Sequence, residues 1–437
     1  MFSADASASL AGPDWLRQRR AAGYEAFAST PLPSESEEVW RYSPIDELRL
    51  DEFAPRPPDA RADGAPAGGV ELLAAVRGAL GSMAGSVLVH DGRPVLSTLT
   101  TGNGNGAGAF AFGRADDVAG SREMLGSVQR GGDALVRLND AFAPEPLFID
   151  VPAGVDVRGP VLVVHWCEPG ATAIFPRTCV RAADGAGISV VEVFAGADGP
   201  DRSLLVPVTE LSAGEGASVS YVSLQVLPDT AWSIARLAVR GGRGASLRTF
   251  TVGLGGSYDR IRADVSVDGK DAHSEILSAY LGEGSQVHDI RTLQDHVAPR
   301  TTSELLCQGA VAGRSRSVYS GLIRVHRGAV RSDARQTNHN LVLDEGAHAD
   351  SVPNLDILEN DVKCSHASTV GPIDEDQRYY IESRGVEPDV AEGLIVRGFF
   401  DAIIDRGPIP EATSLLQREV HVRLDAALAG RQVAERV

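Results

Sequence analysis

A thiol and an imidazole stand two residues apart late in this 437-residue chain: Cys364 and His366, within D-V-K-C-S-H-A-S-T-V-G. In an extended segment, residues i and i+2 point to one face, so the pair projects together and Lys363 and Ser365 project to the other. A soft thiolate beside an imidazole is a half-site for iron or another thiophilic metal. Two such ligands cannot close a tetrahedral site, so the isolated chain is expected to hold little stable iron. The competing reading is an inert pair in a purely structural strand.

The other chemistry-bearing residues point nowhere so definite. Cys167, Cys179 and Cys307 form no C-x-x-C pair and read as small buried hydrophobes in a reducing compartment. The only lysines are Lys270 and Lys363, and neither lies in the G-K-[S/T] context of a phosphate-binding loop, so the chain is no Walker-type ATPase. The stretch T-G-N-G-N-G-A-G-A around Gly104 loosely matches G-x-G-x-x-A but lacks a βαβ unit, and reads as a flexible loop. His273-Ser274-Glu275 resembles the H-x-E of zinc deaminases, yet no P-C-x-x-C follows.

Composition sets the class. With 43% hydrophobic and 23% charged residues, the chain is of ordinary globular type. A net charge of -18 without a basic stripe argues against nucleic acid as a partner. No stretch approaches the roughly 18 apolar residues that span a bilayer, and the N-terminus lacks a secretory pattern. The expected location is the cytoplasm.

The elements that must hold Cys364 and His366 fall into three textures. Residues 14–28 and 70–80 read as helices, 86–97 as a hairpin around Asp91-Gly92, 53–69 as a linker and 115–141 as helical. Between Pro31 and Pro44, the sequence L-P-S-E-S-E-E-V-W-R-Y brackets Arg41 with Trp40 and Tyr42, as an anchor onto the body of the protein or as ordinary loop packing. From Pro146 to about residue 362, short β-branched runs follow one another with no room for long helices. Gly185-Ala186, Gly216-Ala217, Gly244-Ala245, Gly284-Ser285, Gly328-Ala329 and Gly346-Ala347 introduce them at irregular intervals. A sandwich, a barrel or a solenoid fits, and small residues at wide corners favour the solenoid. Gln294, His296, Ser303, Gln308, Gln336, Asn338 and Asn340 would form internal ladders or line a surface. Residues 374–384, 388–406 and 411–430 read as amphipathic helices. Their apolar faces pack on the chain's own core or dock a partner through Phe399, Phe400, Tyr379 and Tyr380.

These motifs resemble the SufB/SufD family of iron–sulfur cluster assembly scaffolds. The likeness is densest from 301 to 406: S-x-x-L-C-Q-G-A-V, Y-S-G-L-I-R-V-H-R-G-A, Q-T-N-H-N-L-V-L, P-N-L-D-I, D-V-K-C-S-H-A-S-T-V-G and Y-Y-I-E-S-R-G-V. The L-P-S-E-S-E-E-V-W-R-Y-S segment is similar to the SufD branch. So is Lys363-Cys364-Ser365-His366, where SufB-like chains have Glu-His-Glu-Ala. Ala367 departs from the usual glycine, small for small.

The resemblance implies a mainly β protein: a right-handed parallel β-helix core over 144–372, an N-terminal helical or mixed domain over 1–143 and a C-terminal helical domain over 373–437. It implies a non-catalytic scaffold that pairs with a SufB-like paralogue and docks a SufC-like ATPase on its C-terminal helices. A transient Fe–S cluster would form at the interface, with His366 as the implicated histidine and Cys364 beside it. Pairing with itself when alone is kept as an alternative. The readings against which this stands are a β-helix interaction protein with no metal site and a β-helix polysaccharide lyase or hydrolase, for which the strands show no acidic cluster.

Overall fold

The computed structural model describes residues 2–56, 64–99, 110–129 and 131–434. The glycine-rich stretch around Gly104 and part of the expected linker lie outside the described residues. The core is a parallel β-solenoid of about eight turns, flanked by helices on both sides in sequence. Two sheets face each other. One runs from Leu147–Val151 through Arg177–Ala182, Val208–Ala213, Ala231–Gly241, Tyr258–Val267, Val287–His296 and Arg316–Val325 to His348–Ile357. The other runs from Gly85–His90 through Val161–Cys167, Gly187–Gly196, Ser218–Val226, Ser246–Gly253, His273–Gly282, Thr302–Val311 and Asp333–Val342 to Lys363–Gly371.

A stack of left-handed corners lets the chain pass from one sheet to the other at the same place in every turn. Gly154, Gly185, Gly216 and Gly244 have φ of 63° to 71°, and Asp271, Arg300 and Arg331 continue the series at 63°, 58° and 62°. Each backbone N–H in this column donates to a carbonyl one turn further on, from Gly154 to the Asp184 oxygen through to Arg331 and the Asp361 oxygen. Positive φ is easy for glycine and costs other residues ~1–3 kcal/mol. Paired backbone bonds along the stack offset that cost, and Arg300 and Asp271 add a two-pronged ion pair at 2.6 Å.

Side chains alternate across each strand. The inward set (Val163, Val190, Leu211, Val219, Leu237, Leu247, Val265, Ile276 and Leu305 among them) fills the lumen. The outward set of the second sheet (Val191, Val222, Phe250, Leu277 and Leu281) is covered by the helices Ala67–Leu80, Pro388–Ile404 and Thr413–Ala434. Each fully buried Leu, Val or Phe contributes ~1.5–3 kcal/mol. The first sheet is covered by the N-terminal segment, where Trp40 is 1% exposed. The Arg260 guanidinium lies 3.7 Å from the Trp40 ring centroid and donates to the Val39 carbonyl at 2.6 Å, while Arg291 donates to the Arg41 carbonyl at 2.6 Å. Trp40 and the backbone on either side of it therefore anchor this segment, while the Arg41 and Tyr42 side chains stay exposed.

The expected helices at 14–28 and 70–80 form as Asp14–Ser29 and Ala67–Leu80, and the hairpin joins Gly85–His90 to Arg93–Leu99. Gly23 is required within the first helix. A Cβ there would come 2.8 Å from the backbone carbon of Asp140 in the helix that packs across it. The helical reading of 115–141 holds only in part. Ser121–Met124 and Ala134–Phe142 are separate helices. Between them the N–H groups of Gly126, Val128 and Gln129 donate to the Glu210 carboxylate instead of to helical carbonyls.

Candidate functional site

The two sheets end together. Lys363–Gly371 and His348–Ile357 each pair on one side only, so the last turn of the solenoid presents two unpaired strand edges. Around this opening Leu355, Ile357, Leu358 and Val370 are exposed.

Cys364 and His366 lie on the inward face of the last strand. In register beneath them are Ala334 and Gln336, and beneath those Ser303 and Leu305. Cys364 is half-buried against the small apolar group of Ile323, Val325, Ala329 and Ala334. Burial pushes its thiol up, and the Asp333 carboxylate pushes it further. A cation brought nearby would favour its thiolate. His366 is exposed at the opening. The i, i+2 geometry puts both donors on one face. Among the described residues no three His, Cys, Asp or Glu side chains gather as a metal site, so the donor set amounts to half of a tetrahedral shell.

The lumen below turns polar towards this end. The doubtful strand residues lie inside the protein: Gln294, His296, Ser303, Gln336, Asn338 and Asn340 are all buried, and Gln308 is buried under the C-terminal helices on the outer face. A hydrogen-bonded chain leads from the interior to the opening. Tyr280 donates to Asn340, and its hydroxyl also pairs with the Ser317 hydroxyl at 3.1 Å. Asn340 donates to Asn338 at 2.8 Å, Ser351 donates to the same Asn338 oxygen at 2.8 Å, and Ser368 donates to Ser351 at 2.6 Å. Nearby His296 sits between Thr301 and Ser303, each at 2.7 Å, and burial holds it down at about 4, so it is neutral. Cys307 lies in this lumen with its thiol pushed up to about 12 by burial; burial likewise raises Cys167 and Cys179.

On the C-terminal helices Tyr379 and Tyr380 are 73% and 59% exposed, with Val390 and Leu394 exposed nearby. Phe399 is partly buried against the core and Phe400 wholly so, which leaves Phe400 no surface to offer a partner. Glu275 of the His273-Ser274-Glu275 triplet is taken by Arg248 at 2.8 Å and Arg406 at 3.0 Å, tying the end of a C-terminal helix to the solenoid.

A second cluster escapes the sequence altogether. Glu192 is fully buried in the lumen and accepts from His165 at 2.8 Å, Thr178 at 2.6 Å, Thr209 at 2.9 Å and Tyr221 at 2.6 Å. Its donors come from four other strands, so no local pattern announces it.

The profile of a family described as "SUF system FeS cluster assembly, SufBD core domain" matches residues 165–399. The chain is 28% identical over 293 residues to the iron-sulfur cluster assembly protein SufD of Bacillus subtilis, covering 65% of this chain and 67% of that protein. It is 32% identical over 283 residues to an iron-sulfur cluster assembly SufBD family protein of Mycobacterium tuberculosis, covering 63% and 68%. It is 27% identical over 414 residues to the iron-sulfur cluster assembly protein SufD of Escherichia coli, covering 92% and 90%.

Proposed function

The chain belongs to the SufB/SufD family, on its SufD branch, and we propose that it is a non-catalytic scaffold subunit whose open solenoid end pairs with a SufB-like paralogue. Its role is in iron–sulfur cluster assembly. The observation that carries the finer reading is the coincidence of Cys364 and His366 with an unpaired strand edge. Unpaired N–H and C=O groups are a template for another strand. A partner added there would meet both donors at once and complete the ligand set around the nascent cluster, which is cargo. The thiol of Cys364 loses its proton as iron approaches, and an imidazole nitrogen of His366 supplies a lone pair.

The chain has no P-loop lysine, so ATP hydrolysis belongs to a SufC-like subunit. The exposed Tyr379, Tyr380, Val390 and Leu394 surface is where it would dock. When alone, the chain would cover its open end with a second copy. The complex works in the cytoplasm; among the described residues, no helix is long and apolar enough to cross a membrane.

The test is anaerobic co-purification with SufB-like and SufC-like proteins, with iron and sulfide assayed on the complex. Wild type should carry both, and His366→Ala should lose most of them while the subunits still co-purify. Undiminished iron in the Cys364→Ala/His366→Ala double variant rejects the site. A full cluster on the single chain rejects the half-site. A second reading keeps the scaffold but makes Cys364 a packing residue, since it fits the apolar group around Ala334. It predicts that only His366→Ala matters.

A further inference from the structure

Gln336 is 1% exposed, and neither its Nε2 nor its Oε1 has a hydrogen-bond partner. A buried polar group left this way costs ~1–3 kcal/mol. The neighbouring Asn338, Asn340, Ser351 and Tyr280 satisfy one another, whereas both polar atoms of the Gln336 amide are left without a partner. Room has been left for its amide: a Cβ on Gly321, in the opposite sheet, would fall 2.3 Å from Nε2. The residue in register with Gln336 on the last strand is His366. Both point inward, and adjacent strands lie ~4.8 Å apart.

We propose that Gln336 is the positioning residue for His366: its orphaned amide hydrogen-bonds the imidazole nitrogen that faces the lumen and turns the other nitrogen to the open end. This rests on the reading of His366 as a cluster ligand. The chemistry is specific. Once Oε1 accepts from one ring N–H, the opposite nitrogen of a neutral imidazole carries the free lone pair, which is the form a metal ion needs. Ligating histidines are fixed in this manner by a carbonyl or carboxylate behind the ring. Here the backbones are already in register and side-chain rotation completes the contact.

The experiment reads the tautomer of His366 in the isolated full-length chain, by long-range proton–nitrogen correlation on histidine-labelled protein. His366→Ala assigns the signal. The wild type should show a single tautomer with the lumen-facing nitrogen protonated. Gln336→Leu should lose that pattern and give a mixture, whereas Gln336→Glu, which keeps the acceptor, should restore it. Gly321→Ala pushes the amide from the other side and should also give a mixture, which covers the case in which Gln336→Leu fails to fold. An unchanged His366 signal in Gln336→Leu or Gly321→Ala overturns the proposal. Undiminished iron on the complex carrying His366→Ala overturns the ligand reading instead and leaves the tautomer result standing.

Discussion

The Ser368 hydroxyl donates to the Ser351 hydroxyl at 2.6 Å, joining the last strand of one sheet to the last strand of the other. Ser351 in turn donates to the buried Asn338. Two edges that no further turn holds together are thus fastened across the lumen, and the distance between them sets where Cys364 and His366 face.

Loosening this fastening should be a local event. Ser368→Ala removes an exposed bond and should change global stability by no more than ~0.5 kcal/mol. Asn338→Ala leaves the partly buried Ser351 donor and the buried Asn340 donor unpaired and should cost ~1–3 kcal/mol. Hydrogen exchange should show faster opening of 348–357 and 363–371 in both, with strands nearer the start unchanged. Uniformly faster exchange would refute the local role.

Thiol chemistry should single out one cysteine. Cys167, Cys179 and Cys307 are buried, and Cys364 alone is partly accessible. A thiol reagent such as dithionitrobenzoate should find one slow-reacting thiol in the native chain and four in denaturant. Burial raises the Cys364 thiol, so its rate should keep climbing above the ordinary thiol value of ~8.5. Cys364→Ala should abolish the native reaction.

The Glu192 cluster should dominate acid sensitivity. Burial alone pushes this carboxyl up, but the contacts from His165, Thr178 and Tyr221 outweigh it and hold it below its ordinary value. A depressed folded value means stability that is present above the unfolded value of ~4.3 and lost as pH falls through the folded one. Glu192→Leu leaves four buried donors without an acceptor and should cost ~3–5 kcal/mol at pH 7. Urea midpoints should show the gap to wild type narrowing below about pH 4. A gap that is constant with pH would show that the carboxylate charge is not what holds the cluster.

The N-terminal anchor should depend on arginine as such. Arg260 is fully buried, pairs with Asp289, and stacks on Trp40. Lysine keeps the charge but loses the planar stack and the fork of donors, so Arg260→Lys should cost ~1–2 kcal/mol. Arg260→Ala, which leaves Asp289 alone in the interior, should cost ~3–5 kcal/mol. Limited proteolysis should cut between residues 30 and 50 sooner in the lysine variant, with the solenoid intact.

What could be read from the sequence was what repeats locally. Strand alternation put Cys364 and His366 on one face, and the corner residues favoured a solenoid. The regular turn of the chain stayed hidden because the corner column begins as glycine at 154, 185, 216 and 244 and continues as Asp271, Arg300 and Arg331, held left-handed by bonds to the next turn. The Gly-small pairs looked irregular because they mix this corner with the opposite one, at Gly284 and Gly346. The side of the strand taken by Gln294, Gln336 and Asn338 depends on partners in other turns. Glu192 and Arg260 were invisible for the same reason, and the helical reading of 115–141 is interrupted where the distant Glu210 captures the backbone of Gly126, Val128 and Gln129.

The two ends of the solenoid are unlike. At its start, among the described residues, the sheets finish on antiparallel strands, Arg93–Leu99 with Pro94 inside it and the three-residue Ala111–Gly113, both poor templates for another strand. At its finish two parallel strands of nine and ten residues stand open. Stacking end to end therefore has a valence of one. One solenoid added at the open end would use it up, whereas a molecule open at both ends would grow into a fibre.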